Sequence, residues 1–217
     1  RQRQMCIRDR FMYALIDNMP KFVMETALSY DNQLYFNALY FPAQAILLTV
    51  GFVYKPLLVR MAQMWADAEK RNRFHLVILA IVAMVIALTL VVIFLMGWIG
   101  IPIMSFMYGV DFEQFRGLSF IMIAAGGVTA IIDFLYQVIT VLRRQKSVMK
   151  LYVITFGFSL FVPILLIDFT GLPGAVIGYL IVMTILMVLL VWEYISICLD
   201  LSKHPVSQNP VSVSVDE

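Results

Sequence analysis

Charge is scarce in this sequence. Asp, Glu, Lys and Arg make up 14% of its 217 residues, against roughly 25% in soluble domains. Histidine is scarcer still: His75 and His204 are too few and too far apart for a metal centre or a catalytic base. The two cysteines, Cys6 and Cys198, lie near opposite ends and give neither a disulfide framework nor metal-ligand spacing. There is no glycine-rich phosphate loop and no nucleophile with a nearby base. These absences argue against a soluble enzyme, a resident cofactor, a structural metal and a nucleic-acid partner. An intramembrane acid–base pair of Asp133 with Glu193 or Asp168 is disfavoured. Both partners fall near interfaces, while Asp133 lies about 15 Å inside at ~1.5 Å per residue.

What is present is apolar. Hydrophobic residues make up 62% of the chain, against roughly 45–50% in soluble domains. That balance predicts an all-α, polytopic membrane helix bundle, with about five full transmembrane helices and a truncated one at the N-terminus. The formal net charge of +2 says little, because the charges are segregated. Cys198 falls near a helix end, as either a lipidation site or an inert thiol.

The stretch from Leu118 to Leu142 is expected to organise the rest. At ~1.5 Å per residue it reaches about 36 Å, against a hydrocarbon core of roughly 30 Å. It stops at the basic cluster Arg143, Arg144 and Lys146. Near its middle sits Asp133, which lipid contact does not tolerate. Ser119, Ile123, Gly126, Ala130, Asp133, Gln137 and Thr140 fall on one face at helical spacing. That face is small or polar, and the others are mostly Ile, Leu, Val and Phe. The pattern predicts an inner side and a lipid side.

Residues 1–10 read RQRQMCIRDR, basic and without the apolar core of a signal peptide. The MCIRDR string looks like a spurious leader from sequence assembly and is expected to lie outside the fold. The transmembrane lobe then runs over 11–201. Phe11 to Ser29 reads as the end of a helix whose beginning is missing, broken near Pro20. Tyr35 to Leu58 is the first full span, with Asn37, Tyr40, Gln44, Gly51 and Lys55 on one face. Lys55 either snorkels to the interface or lines a cavity for an anionic headgroup. Arg60 to Arg73 places Met61, Met64, Trp65 and Ala68 at helical spacing beside basic residues. It reads as an amphipathic helix in the headgroup layer facing anionic lipid, or as a solvated connector.

Leu76 to Trp98 is the plainest span, with a break expected over Gly100, Pro102 and Gly109. Leu151 to Ile167 follows the organising helix, with a modest stripe of Tyr152, Thr155 and Ser159 and a kink expected at Pro163. Thr170 to Gly174 is a tight turn. Ala175 to Ile197 spans back, and Gly174 and Gly178 form a small-xxx-small pair suited to close helix contact. Residues 202–217, rich in Ser, Val and Pro, read as a disordered tail. Basic residues concentrate in Lys55–Arg73 and Arg143–Lys150. The alternation places both loops and the C-terminus in the cytoplasm, and Asp17 to Gln33 outside.

Polar inner faces on three spans suit a bundle around a cavity, as in a transporter. Several local patterns sharpen this: Asp17-Asn18-Met19-Pro20-Lys21-Phe22, Gly51-Phe52-Val53-Tyr54-Lys55-Pro56, Tyr108-Gly109-Val110-Asp111, Gly126-Gly127 and Gly171-Leu172-Pro173-Gly174-Ala175. Their order and spacing resemble the C-terminal half of polysaccharide-biosynthesis flippases, within the multidrug/oligosaccharidyl-lipid/polysaccharide exporter superfamily. The resemblance implies the second lobe of a two-lobe transporter of the bacterial cytoplasmic membrane, with the first lobe absent. It also implies an undecaprenyl-linked sugar as cargo and membrane lipids as surroundings. Candidate cavity-lining residues are Asn37, Gln44, Lys55, Asp133, Gln137 and Thr140. Asp133 would bind sugar hydroxyls, carry a coupling proton or cation, or only hold neighbouring helices together. Rival readings are a multidrug cation antiporter of the same superfamily and a non-transporting membrane scaffold subunit.

Overall fold

The structure is a computed structural model that describes residues 2–66, 71–109, 111–142 and 145–203. The described residues form helices and contain no strand. The elements are α1 (Gln2–Ala27), α2 (Tyr30–Ala66), α3 (Arg71–Leu95), a π-helical turn (Met96–Gly100), α4 (Ile101–Tyr108), a 3-10 turn (Glu113–Phe115), α5 (Arg116–Val141), α6 (Gln145–Thr170) and α7 (Leu172–Lys203). Five stretches are long and apolar enough to cross a membrane: Tyr30–Trp65, Arg73–Tyr108, Glu113–Val141, Ser147–Thr170 and Leu172–Leu199. The chain is an all-α, multi-pass membrane bundle. Its outer surface carries Phe41, Leu48, Phe52, Leu79, Phe94 and Phe161, all largely exposed, which suits lipid.

The helices alternate in direction. Gly126 of α5 lies against Ala43 of α2, and Tyr54 further along α2 reaches Asp133 further along α5. These two helices therefore run in parallel. Arg116 at the start of α5 reaches Gly97 beyond α3, so that pair is antiparallel. Tyr13 lies beside Tyr152 and Leu28 beside Gly171, so α1 runs with α6. The result places α1, α3 and α6 in one direction and α2, α5 and α7 in the other. Turns at Gly109 and Gly171 close one end. Both glycines have φ near +65°, where a side chain is strained.

Helix α5 is the centre, packed against α2, α7 and α3, while α6 bridges α1 and α7. The lipid side of α5 is narrower than expected. Met122, Ala125, Ile132, Phe134, Leu135, Val138 and Ile139 are buried, and Phe120, Ile121, Ala124, Val128 and Ile131 form a half-buried apolar stripe. Neighbours cover most of the helix, so much of its apolar surface meets protein rather than lipid. Two close approaches make this possible. A Cβ at Gly126 would stand 2.6 Å from the Ala43 Cβ, and one at Gly127 would collide with the Thr89 side chain.

Four expectations about boundaries are corrected. Arg60 to Ala66 is not a separate helix in the headgroup layer; it continues α2 without a break. At ~1.5 Å per residue α2 spans about 55 Å, longer than a core of roughly 30 Å. Gly100 and Pro102 do not end the third span. The π-helical turn absorbs the irregularity, and Pro102 falls in the first turn of α4, where no N–H is needed. The chain turns only at Gly109. Pro20 does not break the first helix, which is helical on both sides of it and begins at Gln2, within the segment expected to lie outside the fold. Asp17 therefore sits within one unbroken helix of the bundle. Arg143, Arg144 and residues 204–217 of the expected tail lie outside the described residues.

Candidate functional site: two carboxylate–tyrosine centres

Three acidic side chains lie inside the bundle: Asp9 on α1 is buried with no hydrogen-bond partner among the described residues, while Asp133 and Asp17 are each held by tyrosine. Placing a carboxylate at mid-membrane depth costs about 2.5–3.5 kcal/mol on insertion scales, so such groups need partners. Asp133 lies half-buried on α5 and accepts a hydrogen bond from the hydroxyl of Tyr54 on α2. Tyr54 is fully buried and its ring packs on Phe134 at 5.5 Å between centroids. The parallel run of α2 and α5, fixed by the Gly126–Ala43 approach, sets this pair in register.

Beside Asp133 is a cavity of about 20 Å3, lined by Arg10, Tyr13, Ile132, Asp133, Tyr136 and Tyr152. A space of that size has room for about one water molecule. Its walls are aromatic: Tyr152 stands 6.2 Å from Tyr13 and 6.1 Å from Tyr136 between ring centroids. The Tyr13 hydroxyl is buried and has no hydrogen-bond partner among the described residues.

Asp17 on α1 forms the second centre. It accepts a bond from Tyr179 of α7 at 2.7 Å and bonds from Tyr40 of α2 at 2.8 and 3.0 Å to its two oxygens. One carboxylate thereby ties three helices together. The Lys21 ammonium lies 4.4 Å from the centre of the Tyr40 ring, a cation–π contact one turn along α1. Tyr13 is close enough to both Asp17 and Asp133 to interact electrostatically with each. The two centres are thus neighbours along α1 rather than remote sites.

The expected cavity-lining residues divide between these centres and the surface. Asp133 lines the cavity. Gln137 and Thr140 continue its face of α5; both are half-buried, and the Thr140 hydroxyl has no hydrogen-bond partner among the described residues. Gln44 lies beside the Tyr40 hydroxyl and so belongs with Asp17. Asn37 and Lys55 are exposed. Lys55 folds back along α2, its ammonium over Gly51. The early part of the α5 face does not line a space at all. Ser119, Gly126 and Ala130 are buried in helix contacts.

The Asp17 centre was missed by the sequence reading. The available signal was the spacing of Tyr13, Asp17 and Lys21 at intervals of four, a polar stripe through the mostly apolar stretch from Phe11 to Met24. Comparison with known proteins returns no match: no family model fits the chain, and no curated protein or solved structure is similar to it.

Proposed function

We propose that the chain is a lobe of an integral-membrane flippase that exports lipid-linked oligosaccharide, a polysaccharide or O-antigen precursor, across the bacterial cytoplasmic membrane. The observation that carries this reading is the Asp133–Tyr54 pair beside a tyrosine-walled cavity, within a bundle of five membrane-length helices. Ionisable groups at this depth serve cargo or ions more often than they serve packing. A sugar headgroup offers hydroxyls to the half-buried Asp133, Gln137 and Thr140; the space beside Asp133 is narrower than a sugar ring, so in this reading it widens when cargo binds. Asp133 has the chemistry to take a proton or cation in the same cycle. The cargo in this reading is an undecaprenyl-linked sugar, the partner is a first lobe, and the C-terminus is cytoplasmic. The protein binds and moves its cargo without a chemical step.

The test is Asp133→Asn in the complete protein, with export of lipid-linked sugar measured beside protein abundance. Export falls at least tenfold at unchanged abundance if the reading holds. Full export with the amide means that Asp133 is neither a coupling group nor an essential contact. A multidrug cation antiporter uses the same carboxylate, and drug sensitivity of a deletion strain separates it from the flippase. A membrane scaffold is favoured by one observation, the small volume of the cavity beside Asp133. In that case the polar face stays dry.

A further inference from the structure

A second concave surface lies far from these carboxylates, where the end of α2 meets the start of α3. It is a groove of about 440 Å3 lined by Leu57, Arg60, Met61, Gln63, Met64 and Val77. Its floor is apolar: Met61 is fully buried, and Leu57, Met64 and Val77 are half-buried. Its rim is polar and exposed, made by Arg60 and Gln63. Arg60 has no ion-pair partner among the described residues. The stretch from Lys55 to Arg73 carries Lys55, Arg60, Lys70, Arg71 and Arg73 against only Asp67 and Glu69. An apolar slot with a guanidinium at its mouth that meets no carboxylate among the described residues, set at the end of membrane-length helices, matches one class of molecule in both parts. The groove at the opposite end, beside Phe94 and Phe120, differs, because its Arg116 is already paired with Glu113 at 2.8 Å.

We propose that the groove between α2 and α3 binds one anionic phospholipid, with the headgroup phosphate on Arg60 and Gln63 and the acyl chain over Met61, Met64 and Val77. Arginine suits a phosphate because its planar fork donates two parallel hydrogen bonds. A carboxamide beside it adds a donor without opposing charge. A basic residue near an anionic membrane surface contributes about 1 kcal/mol, which corresponds to roughly fivefold in affinity. This site is separate from the cargo path and does not depend on the identity of the cargo.

Trp65 reports on the groove, since it adjoins Met64 on α2 and packs on Phe74 of α3 at 5.0 Å between ring centroids. Trp98 and Trp192 are exposed, so Trp98→Phe with Trp192→Phe leaves Trp65 as the single tryptophan of a folded chain. The experiment titrates that protein in detergent micelles with phosphatidylglycerol bearing brominated acyl chains, and separately with phosphatidylcholine bearing the same chains. The expected result is half-quenching at about a fivefold lower mole fraction of the anionic lipid. Arg60→Gln removes the preference. Gln63→Glu, which puts a carboxylate beside the phosphate, weakens the anionic lipid alone and guards against a folding defect at Arg60. Arg116→Gln leaves the preference intact. Equal quenching by the two lipids, or a preference that survives both groove variants, overturns the proposal.

Discussion

The hydroxyl of Tyr179 donates to the carboxylate of Asp17 at 2.7 Å, joining residues 162 positions apart. Tyr40 donates to the same carboxylate from a third helix. The first, second and last long helices of the chain are thus fastened at one point. That fastening has a directional consequence for stability. Tyr179→Phe and Tyr40→Phe each remove one donor and leave the other. Each is expected to cost about 0.5–2 kcal/mol, in the range measured for hydrogen bonds between membrane helices. The pair is expected to be non-additive, because the two tyrosines share one acceptor. Thermal unfolding in detergent of the two single variants and the double variant checks this. Strict additivity would mean that the tyrosines do not share Asp17.

A second prediction concerns the seam between α2 and α5. A Cβ at Gly126 would approach the Ala43 Cα at 2.7 Å and its carbonyl oxygen at 3.0 Å, and backbone cannot step aside as a flexible side chain can. Gly126→Ala is expected to destabilise by about 1–3 kcal/mol, the usual cost of overpacking. Gly117→Ala on the same helix meets nothing within 4 Å and is expected to be neutral or slightly stabilising. Unfolding midpoints of the two variants, measured side by side, decide it.

The seam also shows what the sequence revealed and what it concealed. The central place of α5 was legible, because Asp133 interrupts a long apolar run and Gly126 and Ala130 recur on its face. The number of spans was legible from hydropathy. The helix ends were not, because prolines at 20, 42, 56 and 102 looked like breaks or boundaries. In the structure Pro20, Pro42 and Pro56 lie inside helices, and Pro102 lies in a first helical turn. The Asp17 centre was hidden for a different reason. Its partners are 23 and 162 residues away, and no local periodicity encodes a contact of that kind. How narrow the outward stripe of α5 is was hidden too, since leucine and isoleucine look the same facing lipid or protein.

A third prediction separates two glycines at the α6–α7 contact. Gly174 sits against the Leu166 carbonyl, with no space for a methyl group, whereas a Cβ at Gly178 would lie 3.5 Å from the Pro163 Cα, an ordinary contact. Gly174→Ala is therefore expected to lower the unfolding midpoint and Gly178→Ala to leave it nearly unchanged, although both belong to one small-xxx-small motif. Equal effects would contradict this division of roles.

A fourth prediction addresses Tyr54. Its hydroxyl links α2 to Asp133, and Tyr54→Phe keeps the ring packing on Phe134 while removing that link. Loss of a bond to a buried charged group is expected to cost about 1.5–3 kcal/mol. If Asp133 acts through its charge, export by the complete protein falls with Tyr54→Phe by less than with Asp133→Asn. Export assays on both variants at matched abundance give the order, and the reverse order would assign the role to Tyr54.

The central claim is that the later part of the α5 face looks onto a cargo path. The direct measurement is labelling of Gln137→Cys and Thr140→Cys in membranes by a charged, water-soluble thiol reagent. The complete protein is used, with Cys6→Ser and Cys198→Ser to remove the background thiols of this chain. The account predicts that both positions label, and that Ala130→Cys, on the same face but fully buried, does not. Protection of Gln137 and Thr140 alongside Ala130 would contradict it, and would leave a packed, dry face that suits a scaffold rather than a transporter.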